Sequence, residues 1–465
     1  MSKSSDPKIA EFIIHVDDDY DYHFPNKDGQ LRDELFENLK AAFYMKMNKN
    51  LPVFKVGVPL KNFLTEKKDL KKGIQRRPPT GYLDEAEDLY DPYVGAGAPS
   101  AKAALSKAGL GGMKGSNAAP SFVKAGMDAK VTLNDFETRH VIGKGSQGKI
   151  FLVQRRNNPR EVYAMKSIGK EKMLDYGLID QTKLEKNILC DNDNPFLVDM
   201  LYTFQTEDKI MFILPFKRGG DMFQLMRNAG RFAEDRCRFY IIQIVLGLSY
   251  LHQNNVIYRD VKPENILMDE DGYICLSDFG MSKLMKDSGS KASAAPQMGA
   301  VDYLAPEMID NEHYGAQVDW WGVGILTYEM IVGFPPFYTG NRRNTVMFKN
   351  IKSKEVYLDV KKHGIDMTAD CMDFIRKCLQ KDPNQRLGAT RGAKELLEHP
   401  WLAELDSDKI MKKKIEAPFV PELEDDLLDV QHFDESITAE EAVNTMLTPA
   451  VSSKVKKYSQ AFNEF

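Results

Sequence analysis

The chain has few cysteines and no long apolar run. Its five cysteines are scattered over 465 residues without a Cys-x-x-Cys pair, which favours reduced thiols in an intracellular protein over a disulfide framework. The longest apolar run, around residues 240–251, has roughly a dozen residues and is too short to span a bilayer. The N-terminus lacks the apolar core of a signal peptide and a glycine for myristoylation. We therefore expect a cytoplasmic protein.

An excess of charge of either sign is also missing. The chain has 63 Lys and Arg against 68 Asp and Glu, a formal net charge of −5. Nucleic-acid-binding proteins usually present a strongly basic surface, so we predict no nucleic-acid partner. Hydrophobic residues make up 43% and charged residues 28% of the chain, which is ordinary for a soluble globular protein. The length leaves room for two or three domains.

Residues 1–78 have the pattern of a small α+β module. Residues 9–16 are rich in β-branched and aromatic side chains, which predicts a strand. Residues 17–25 predict a turn, and apolar residues spaced four apart over 31–48 predict an amphipathic helix. The pattern loosely resembles part of a pleckstrin-homology-like or myosin-tail-homology fold. With its basic run at 67–77, such a module would bind anionic lipid and give reversible membrane recruitment; the alternative is a protein-binding module followed by a solvated basic linker.

The rest of the chain divides into three segments by composition. Residues 79–135 are rich in Gly, Ala, Ser and Pro, which predicts a flexible linker. Residues 136–401 begin with short strand-like runs and continue with helical patterns, which predicts an α+β domain of two lobes. Residues 402–465 show little regular patterning and are interpreted as a tail.

Three glycines, Gly143, Gly145 and Gly148, have the spacing Gly-x-Gly-x-x-Gly. Glycines allow a backbone to come close to phosphates. The same spacing occurs in ordinary turns and at the start of dinucleotide-binding units, in which a helix follows directly. Here residues 149–153 (KIFLV) predict a strand, which disfavours the dinucleotide-binding unit. A phosphate loop and an ordinary turn both remain open on the glycines alone.

Two charged residues, Lys166 and Glu185, follow the three glycines in the sequence. Lys166 lies in a strand-like run eighteen residues beyond Gly148, and Glu185 lies nineteen residues further on in a helical segment. A lysine on a strand beside a glycine-rich loop can reach the α- and β-phosphates of a nucleotide, and it needs a carboxylate to hold it there. Taken singly, each is more simply explained as a solvated surface residue.

The run at 258–265 (YRDVKPEN) holds several chemically useful groups. Phosphoryl transfer needs a carboxylate to accept the hydroxyl proton, a cation near the γ-phosphate and ligands for a metal ion. Asp260, Lys262 and Asn265 supply these groups within one short loop. Asp278, in an Asp-Phe-Gly run thirteen residues later, adds a second metal ligand. Together and in this order, these elements favour a phosphotransferase.

The set GKGSQG, YAMK, YRDVKPEN, DFG and YLAPE resembles that of a eukaryotic protein kinase. Tyr258, in place of the usual His, residues 318–321 (VDWW) and the trailing segment resemble the AGC group, which contains protein kinases A, B and C. The resemblance covers residues 136–465, about 70% of the chain. It implies a two-lobed α+β protein kinase fold with an AGC C-terminal tail and a serine/threonine protein kinase that uses Mg-ATP. It also implies that Glu307 and Arg386 form a buried ion pair in the larger lobe.

The resemblance implies roles for the matching residues. Asp260 would be the catalytic base, and Lys262 would stabilise the migrating phosphoryl group. Asn265 and Asp278 would hold two Mg²⁺ ions. Lys166, paired with Glu185, would anchor ATP. The other ATP-binding residues that it implies are Ile142, Gly143, Lys144, Gly145, Ser146, Gly148, Ile150, Ala164, Leu214, Phe216, Asp221 and Phe433.

Substrate preference follows from three acidic residues. Asp221, Glu264 and Glu329 match positions at which basophilic AGC kinases bind arginines upstream of the phosphoacceptor. Charge complementarity then favours protein substrates with basic residues before the Ser or Thr. Taken separately, each residue is more simply a solvated carboxylate.

The activation segment departs from the family pattern. Pro296 and Ala300 stand where AGC kinases carry threonines, although Arg259 and Lys283, which match the usual phosphate receptors, are present. Three hypotheses follow. Phosphorylation is shifted to a serine such as Ser293, or the segment is active without phosphate, or the chain is an ATP-binding scaffold with weak catalysis.

The C-terminal tail carries two further candidate regulatory features. Phe462 and Phe465 resemble the Phe-x-x-Phe motif that AGC tails dock on the small lobe beside the helix of Glu185. Thr448, which precedes Pro449, matches a phosphorylation site in the turn motif of the tail.

Overall fold

The computed structural model describes residues 131–145, 148–190, 192–285, 301–310, 312–338, 344–442 and 449–465, with four short strands before residue 78. The chain divides into two compact units, Met1–Ser121 and Phe122–Phe465. Among the described residues, no helix combines the length and apolar character needed to cross a membrane. The sequence predictions that lie outside the described residues are the helix at 31–48, the linker as far as residue 130, Ser146, Ser293, Pro296, Ala300 and Thr448.

The first unit contains a four-stranded antiparallel sheet in the order β1-β2-β3-β4. The predicted strand at 9–16 is present from Glu11. The predicted turn at 17–25 is wrong in its second part, because residues 20–25 pair with β2 along their whole length. Their alternating aromatic residues (YDYHFP) favour a strand. The strand bounds are Ser2–Lys3 (β1), Glu11–Val16 (β2), Tyr20–Pro25 (β3) and Gln75–Arg77 (β4).

The second unit begins with a five-stranded antiparallel sheet in the order β5-β6-β7-β9-β8. Aromatic and aliphatic side chains of these strands, such as Phe151 and Met165, form a small buried cluster. The predicted strand-like runs are therefore confirmed. The strand bounds are Phe136–Lys144 (β5), Gly148–Arg155 (β6), Asn158–Gly169 (β7), Tyr202–Gln205 (β8) and Lys209–Pro215 (β9).

Two helices connect β7 to β8. Helix α1 (Lys170–Asp175) is too short to be visible as a sequence pattern, whereas α2 (Ile179–Cys190) is the predicted helical segment. Thr182, Glu185 and Leu189 are buried on one side of α2, as the helical repeat requires. This spacing turns Glu185 inward, toward the sheet.

The remaining described part of the second unit is mainly helical. Helix α6 (Gln317–Val332) is buried on nearly every side, including both Trp320 and Trp321, which is typical of a helix in the centre of a core. The helices are Met222–Ala229 (α3), Glu234–Gln253 (α4), Pro306–Ile309 (α5), Gln317–Val332 (α6), Asn344–Ser353 (α7), Ala369–Cys378 (α8), Ala393–Leu397 (α9), Pro400–Ala403 (α10), Ser407–Met411 (α11), Glu435–Thr438 (α12) and Pro449–Lys457 (α13).

Short strands and an ion pair complete the larger lobe. The guanidinium of Arg386 donates to both carboxylate oxygens of Glu307, at 2.6 and 3.0 Å, and both side chains are buried. The described part of the tail contains three short helices (α11, α12 and α13), although its sequence shows little regular patterning. The short strands are Val256–Ile257 (β10), Ile266–Met268 (β11), Ile274–Leu276 (β12) and Lys283–Leu284 (β13), which pair as β10–β13 and β11–β12.

Candidate active site

The three residues predicted to carry out catalysis lie together in one short loop. A 3₁₀ turn at Pro263–Asn265 brings Asn265 back onto Asp260. The Asp260 carboxylate accepts hydrogen bonds from Lys262 Nζ at 2.8 Å and from Asn265 Nδ2 at 2.6 Å. Burial raises the pKa of Asp260, against the opposing charge of Lys262. A carboxylate with a raised pKa is a better acceptor for a hydroxyl proton.

A buried carboxylate on α6 fixes the start of this loop. Asp319 accepts hydrogen bonds from the backbone N–H groups of Tyr258, at 2.9 Å, and Arg259, at 2.7 Å. It also lies 2.7 Å from Nε2 of His252. Arg259 has a φ of 69°, a left-handed conformation that costs energy in a non-glycine residue and must be held by its surroundings. Asp319 lies in the VDWW run, but its role in fixing this loop was not predicted from the sequence.

Lys166 joins two elements of the site. Its Nζ lies 2.5 Å from Oε1 of Glu185 on α2 and 2.8 Å from Oδ1 of Asp278. Burial alone would lower the pKa of Lys166, but the carboxylates of Asp278 and Glu185 outweigh it and raise the pKa. The pKa of Glu185 is raised by burial, whereas the charge of Lys166 lowers the pKa of Asp278. An ammonium group is therefore held between two carboxyl groups.

The residues proposed as metal ligands carry oxygen atoms of the right chemical type. Asn265 uses its Nδ2 atom to donate to Asp260, which leaves its Oδ1 atom for a cation. The side chain of Asp278 is 52% exposed although its Oδ1 atom accepts from Lys166. Oxygen atoms of carboxylates and amides are the ligands that Mg²⁺ prefers. The residues present therefore fit a magnesium site.

The glycine-rich loop is a tight hairpin between β5 and β6. Gly145 N donates to Gly148 O at 2.9 Å. A Cβ atom on Gly148 would lie 1.8 Å from the carbonyl oxygen of Ser167, so only glycine fits. Gly143 pairs with Ile150 across the hairpin. At Gly148 the loop therefore lies against the backbone of β7.

The remaining predicted nucleotide contacts lie on adjacent strands. Ala164 on β7 pairs with Leu214 on β9, one residue before the end of that strand. The rings of Phe216 and Phe433 stack with their centres 5.4 Å apart, which brings the tail to the segment after β9. The amine of Lys144 bonds to Glu440 of the tail.

The three acidic residues that were predicted to bind substrates all have raised pKa values. Asp221 caps α3, and burial raises its pKa to about 6, with Glu264 adding to the effect. Burial and the charges of Glu264 and Asp302 raise the pKa of Glu329 to about 8. The hydroxyl of Tyr303 donates to Glu329. The structure thus brings Glu264 and Glu329 together with Asp302, a residue that was not predicted from the sequence.

The residues that match phosphate receptors are also near each other. The guanidinium of Arg259 donates to Met281 O at 2.6 Å and to the hydroxyl of Tyr314 at 2.8 Å. Lys283, on β13, pairs through its backbone with Ile257 of β10, two residues before Arg259. The guanidinium therefore has partners within the unmodified chain.

The last residues of the tail lie against the small lobe. Phe462 is buried, with the amine of Lys170 at 5.2 Å from its ring centre. Its carbonyl oxygen accepts from Nε2 of Gln205 at 3.0 Å. Phe465 lies under the amine of Lys186 on α2, at 5.9 Å. The two rings therefore contact α1 and α2, the helix that carries Glu185.

With this geometry in place, comparisons with known proteins identify the class. The model of the protein kinase domain matches residues 136–402, more than half of the chain. The chain belongs to the protein kinase family, and the predicted kinase fold is confirmed.

Several relatives are named serine/threonine kinases. A RAC family serine/threonine-protein kinase homolog of Dictyostelium discoideum is 39% identical over 63% of this chain and 63% of its own length. Serine/threonine-protein kinase sgk-1 of Caenorhabditis elegans is 38% identical over 63% of this chain and 61% of its own length. The RAC-beta serine/threonine-protein kinase of Rattus norvegicus is 37% identical over 67% of this chain and 63% of its own length.

These matches confirm the predicted resemblance to AGC-group kinases. They do not support the alternative of an ATP-binding scaffold with weak catalysis, because the relatives are named as kinases. A kinase domain implies the use of ATP, a divalent metal ion and protein substrates. The chain spans less than two thirds of the length of these three relatives.

Proposed function

We propose that this chain transfers the γ-phosphate of ATP to serine or threonine hydroxyls of protein substrates. One observation supports this proposal above the others. The Asp260 carboxylate is held by Lys262 and Asn265, while Lys166 bonds to both Glu185 and Asp278. A proton acceptor, two cationic groups and two metal ligands are thereby held in one site, as phosphoryl transfer requires.

Each side chain has a distinct part in the reaction. Asp260 accepts the proton of the substrate hydroxyl, and its raised pKa suits that task. Lys262 stabilises charge on the migrating phosphoryl group, while Lys166 binds the α- and β-phosphates. Asn265 and Asp278 would hold two Mg²⁺ ions, which would neutralise phosphate charge. Because these groups are fixed before the reaction, they reorganise little during it.

The nucleotide binds beneath the glycine-rich loop. Gly143, Gly145 and Gly148 approach the phosphates through their backbone, and Lys144 and Ser146 belong to the same loop in the sequence. The adenine ring lies among apolar side chains and is covered by the tail. These side chains are Ile142, Ile150, Ala164, Leu214, Phe216 and Phe433, and the stacking of Phe216 on Phe433 supports the assignment.

Substrates with arginine upstream of the acceptor serine fit the acidic side of the site. Asp221, Glu264 and Glu329 are the proposed partners of these arginines. The upward pKa shifts of Asp221 and Glu329 arise from burial and from neighbouring carboxylates. A guanidinium group relieves this repulsion when it binds, so charge complementarity favours arginine.

The activation segment is proposed to act without a phosphate. Arg259 already donates to Met281 and Tyr314, so a phosphate is not needed to fix its position. Ser293 and Thr448 are the residues whose phosphorylation would overturn this proposal if activity depended on it.

Residues 1–78 are proposed to be a recruitment module in a cytoplasmic protein. The end of the basic run is strand β4, and it pairs with β3, so at least two arginines belong to the folded sheet. Anionic lipid is one partner that this chemistry favours, and an acidic protein surface is the other. The boundaries at 1–78, 79–135, 136–401 and 402–465 are part of the same proposal.

Substitution of the base tests the assignment. Asp260→Asn keeps the shape of the side chain but removes its negative charge. We expect it to abolish phosphate transfer while the dissociation constant for ATP stays within about twofold. Turnover at the wild-type rate in this variant would contradict the assignment of Asp260 as the base.

A further inference from the structure

One residue of the tail bonds to both sides of the glycine-rich loop. Lys144 ends β5, before the loop, and Lys149 lies at the start of β6, after it. Oε1 of Glu440 lies 2.9 Å from Nζ of Lys144, and Oε2 lies 2.6 Å from Nζ of Lys149. Each carboxylate oxygen therefore binds the lysine on a different strand.

The backbone around Glu440 is itself fixed to the small lobe. Ile437, before it, and Ala442, after it, both pack against the apolar cluster of the small-lobe sheet. Further back, Asp434 caps α12 and accepts a hydrogen bond from Gln224 of the larger lobe at 3.1 Å. Glu440 is thus presented to the loop from a segment with attachments on both lobes.

The charges explain why the contact matters for the loop. Lys144 and Lys149 are paired across β5 and β6, and like charges on directly opposite residues destabilise a strand pair. Hydrogen bonds from the two lysines lower the pKa of Glu440 to about 2, so the carboxylate is ionised at neutral pH. A single exposed ion pair contributes little, but one carboxylate that bridges two strands restricts both ends of the hairpin.

We infer that Glu440 is a positioning residue that holds the glycine-rich loop against the nucleotide, so that the tail contributes to ATP affinity. This inference rests on the proposed binding of ATP beneath the loop. Glu440 does not contact the reacting atoms; it acts through the loop. Its loss therefore weakens nucleotide binding, while the binding of peptide and the chemistry on bound ATP stay intact.

A double-mutant cycle on the full chain tests the inference. Four proteins are compared with wild type: Glu440→Ala, Lys149→Met, the double variant, and the control Glu441→Ala at the exposed neighbour of Glu440. Dissociation constants for ATP and ADP are measured by calorimetry, and KM for ATP, KM for peptide and kcat are measured by steady-state kinetics. Thermal melting without nucleotide checks that each variant is folded.

We expect Glu440→Ala to weaken ATP binding by about three- to tenfold, as the loss of two exposed ion pairs allows. Lys149→Met should weaken binding in the same direction, and the double variant no more than Glu440→Ala. KM for peptide and kcat at saturating ATP should stay within about twofold of wild type. Glu441→Ala should match wild type throughout.

Two results would overturn the inference. One is an ATP affinity of Glu440→Ala equal to that of Glu441→Ala. The other is a double variant whose fold loss of ATP affinity equals the product of the fold losses of the two single variants. Such independent effects would show that Glu440 and Lys149 are not coupled. A wild-type protein that binds ATP but transfers no phosphate would instead contradict the proposed function. The ATP dissociation constants of the double-mutant cycle would still decide the role of Glu440.

Discussion

Nζ of Lys166 lies 2.5 Å from Oε1 of Glu185, and this bond joins strand β7 to helix α2. The side chains are 12% and 1% exposed, so water does little to weaken the attraction. The second carboxylate oxygen of Glu185 is buried without a hydrogen-bond partner among the described residues. The position of the Lys166 amine therefore depends on a single charged oxygen of Glu185 as well as on Asp278.

Glu185→Gln should disable the site, although glutamine keeps the size and shape of the glutamate side chain. The neutral amide no longer balances the Lys166 charge, and the amine shifts toward Asp278. We expect kcat/KM to fall by about a hundredfold, a loss typical of misplaced catalytic groups. Asp180→Asn, on an exposed position of the same helix, is the control and should retain wild-type kinetics. Equal activities of the two variants would show that the pair does not matter.

Arg386→Met should destabilise the larger lobe strongly. It leaves the buried Glu307 carboxylate without its cation, which typically costs about 3–5 kcal/mol in the free energy of unfolding. Arg391→Met is a matched control, because Arg391 pairs with Glu398 and both side chains are about half exposed (52% and 50%). That change should cost about 1 kcal/mol or less. Denaturant unfolding measures both, and equal losses would contradict the role given to burial.

The binding of arginine-containing peptides should depend on pH through Glu329. Its pKa is raised to about 8, so the group loses its proton as the pH rises through that value. A guanidinium group binds the ionised form better, so we expect KM for an arginine peptide to fall by about tenfold between about pH 6.5 and about pH 8.5. Steady-state kinetics across this range measures the change.

Two controls isolate the contribution of Glu329. A peptide with alanine in place of arginine should show little change in KM over the same range. Glu329→Gln should raise KM for the arginine peptide and flatten its dependence on pH. The raised pKa of Glu329 also predicts how the stability of the fold depends on pH. The folded state keeps a proton that the unfolded state loses above 4.5, so this group's contribution to stability falls as the pH rises toward 8. If KM for the arginine peptide still depends on pH in Glu329→Gln, another group causes that dependence.

Phe462→Ala should detach the end of the tail from the small lobe. The ring is 1% exposed and lies under the amine of Lys170, and truncation of a buried Phe typically costs about 3–5 kcal/mol. Because the site lies beside α2, we expect lower activity together with a lower melting temperature. Tyr458→Ala, at a ring that is 42% exposed, should change neither by much. A melting temperature unchanged in Phe462→Ala would exclude the docking.

Much of the kinase domain could be predicted because its motifs are local in sequence. Asp260, Lys262 and Asn265 lie within six residues, so their chemistry is visible without a fold. The pairing of Lys166 with Glu185 depends on a helix returning to the sheet, and it was predicted through the family pattern. The α+β order of strands and then helices follows from the change in hydrophobic repeat.

The contacts that escaped prediction join distant segments. Glu440 is 296 residues from Lys144 and 291 from Lys149, and no repeat or motif connects them. Asp319 binds a backbone 60 residues earlier, and it could have been suspected only as a buried carboxylate in an apolar helix. Strand β3 was missed because Asp and Pro residues around it favour turns, whereas pairing with β2 decides the conformation.

The most direct test of the central claim is phosphate transfer from Mg-ATP to a peptide of the type R-R-x-S. The full chain is produced in bacteria and treated with phosphatase, with Asp260→Asn as the inactive control and a peptide lacking arginine for comparison. We predict robust turnover on the arginine peptide, none with Asp260→Asn, and weaker turnover without arginine. Negligible turnover by a wild-type protein that binds ATP would contradict the claim that this site is active without a phosphate on its activation segment.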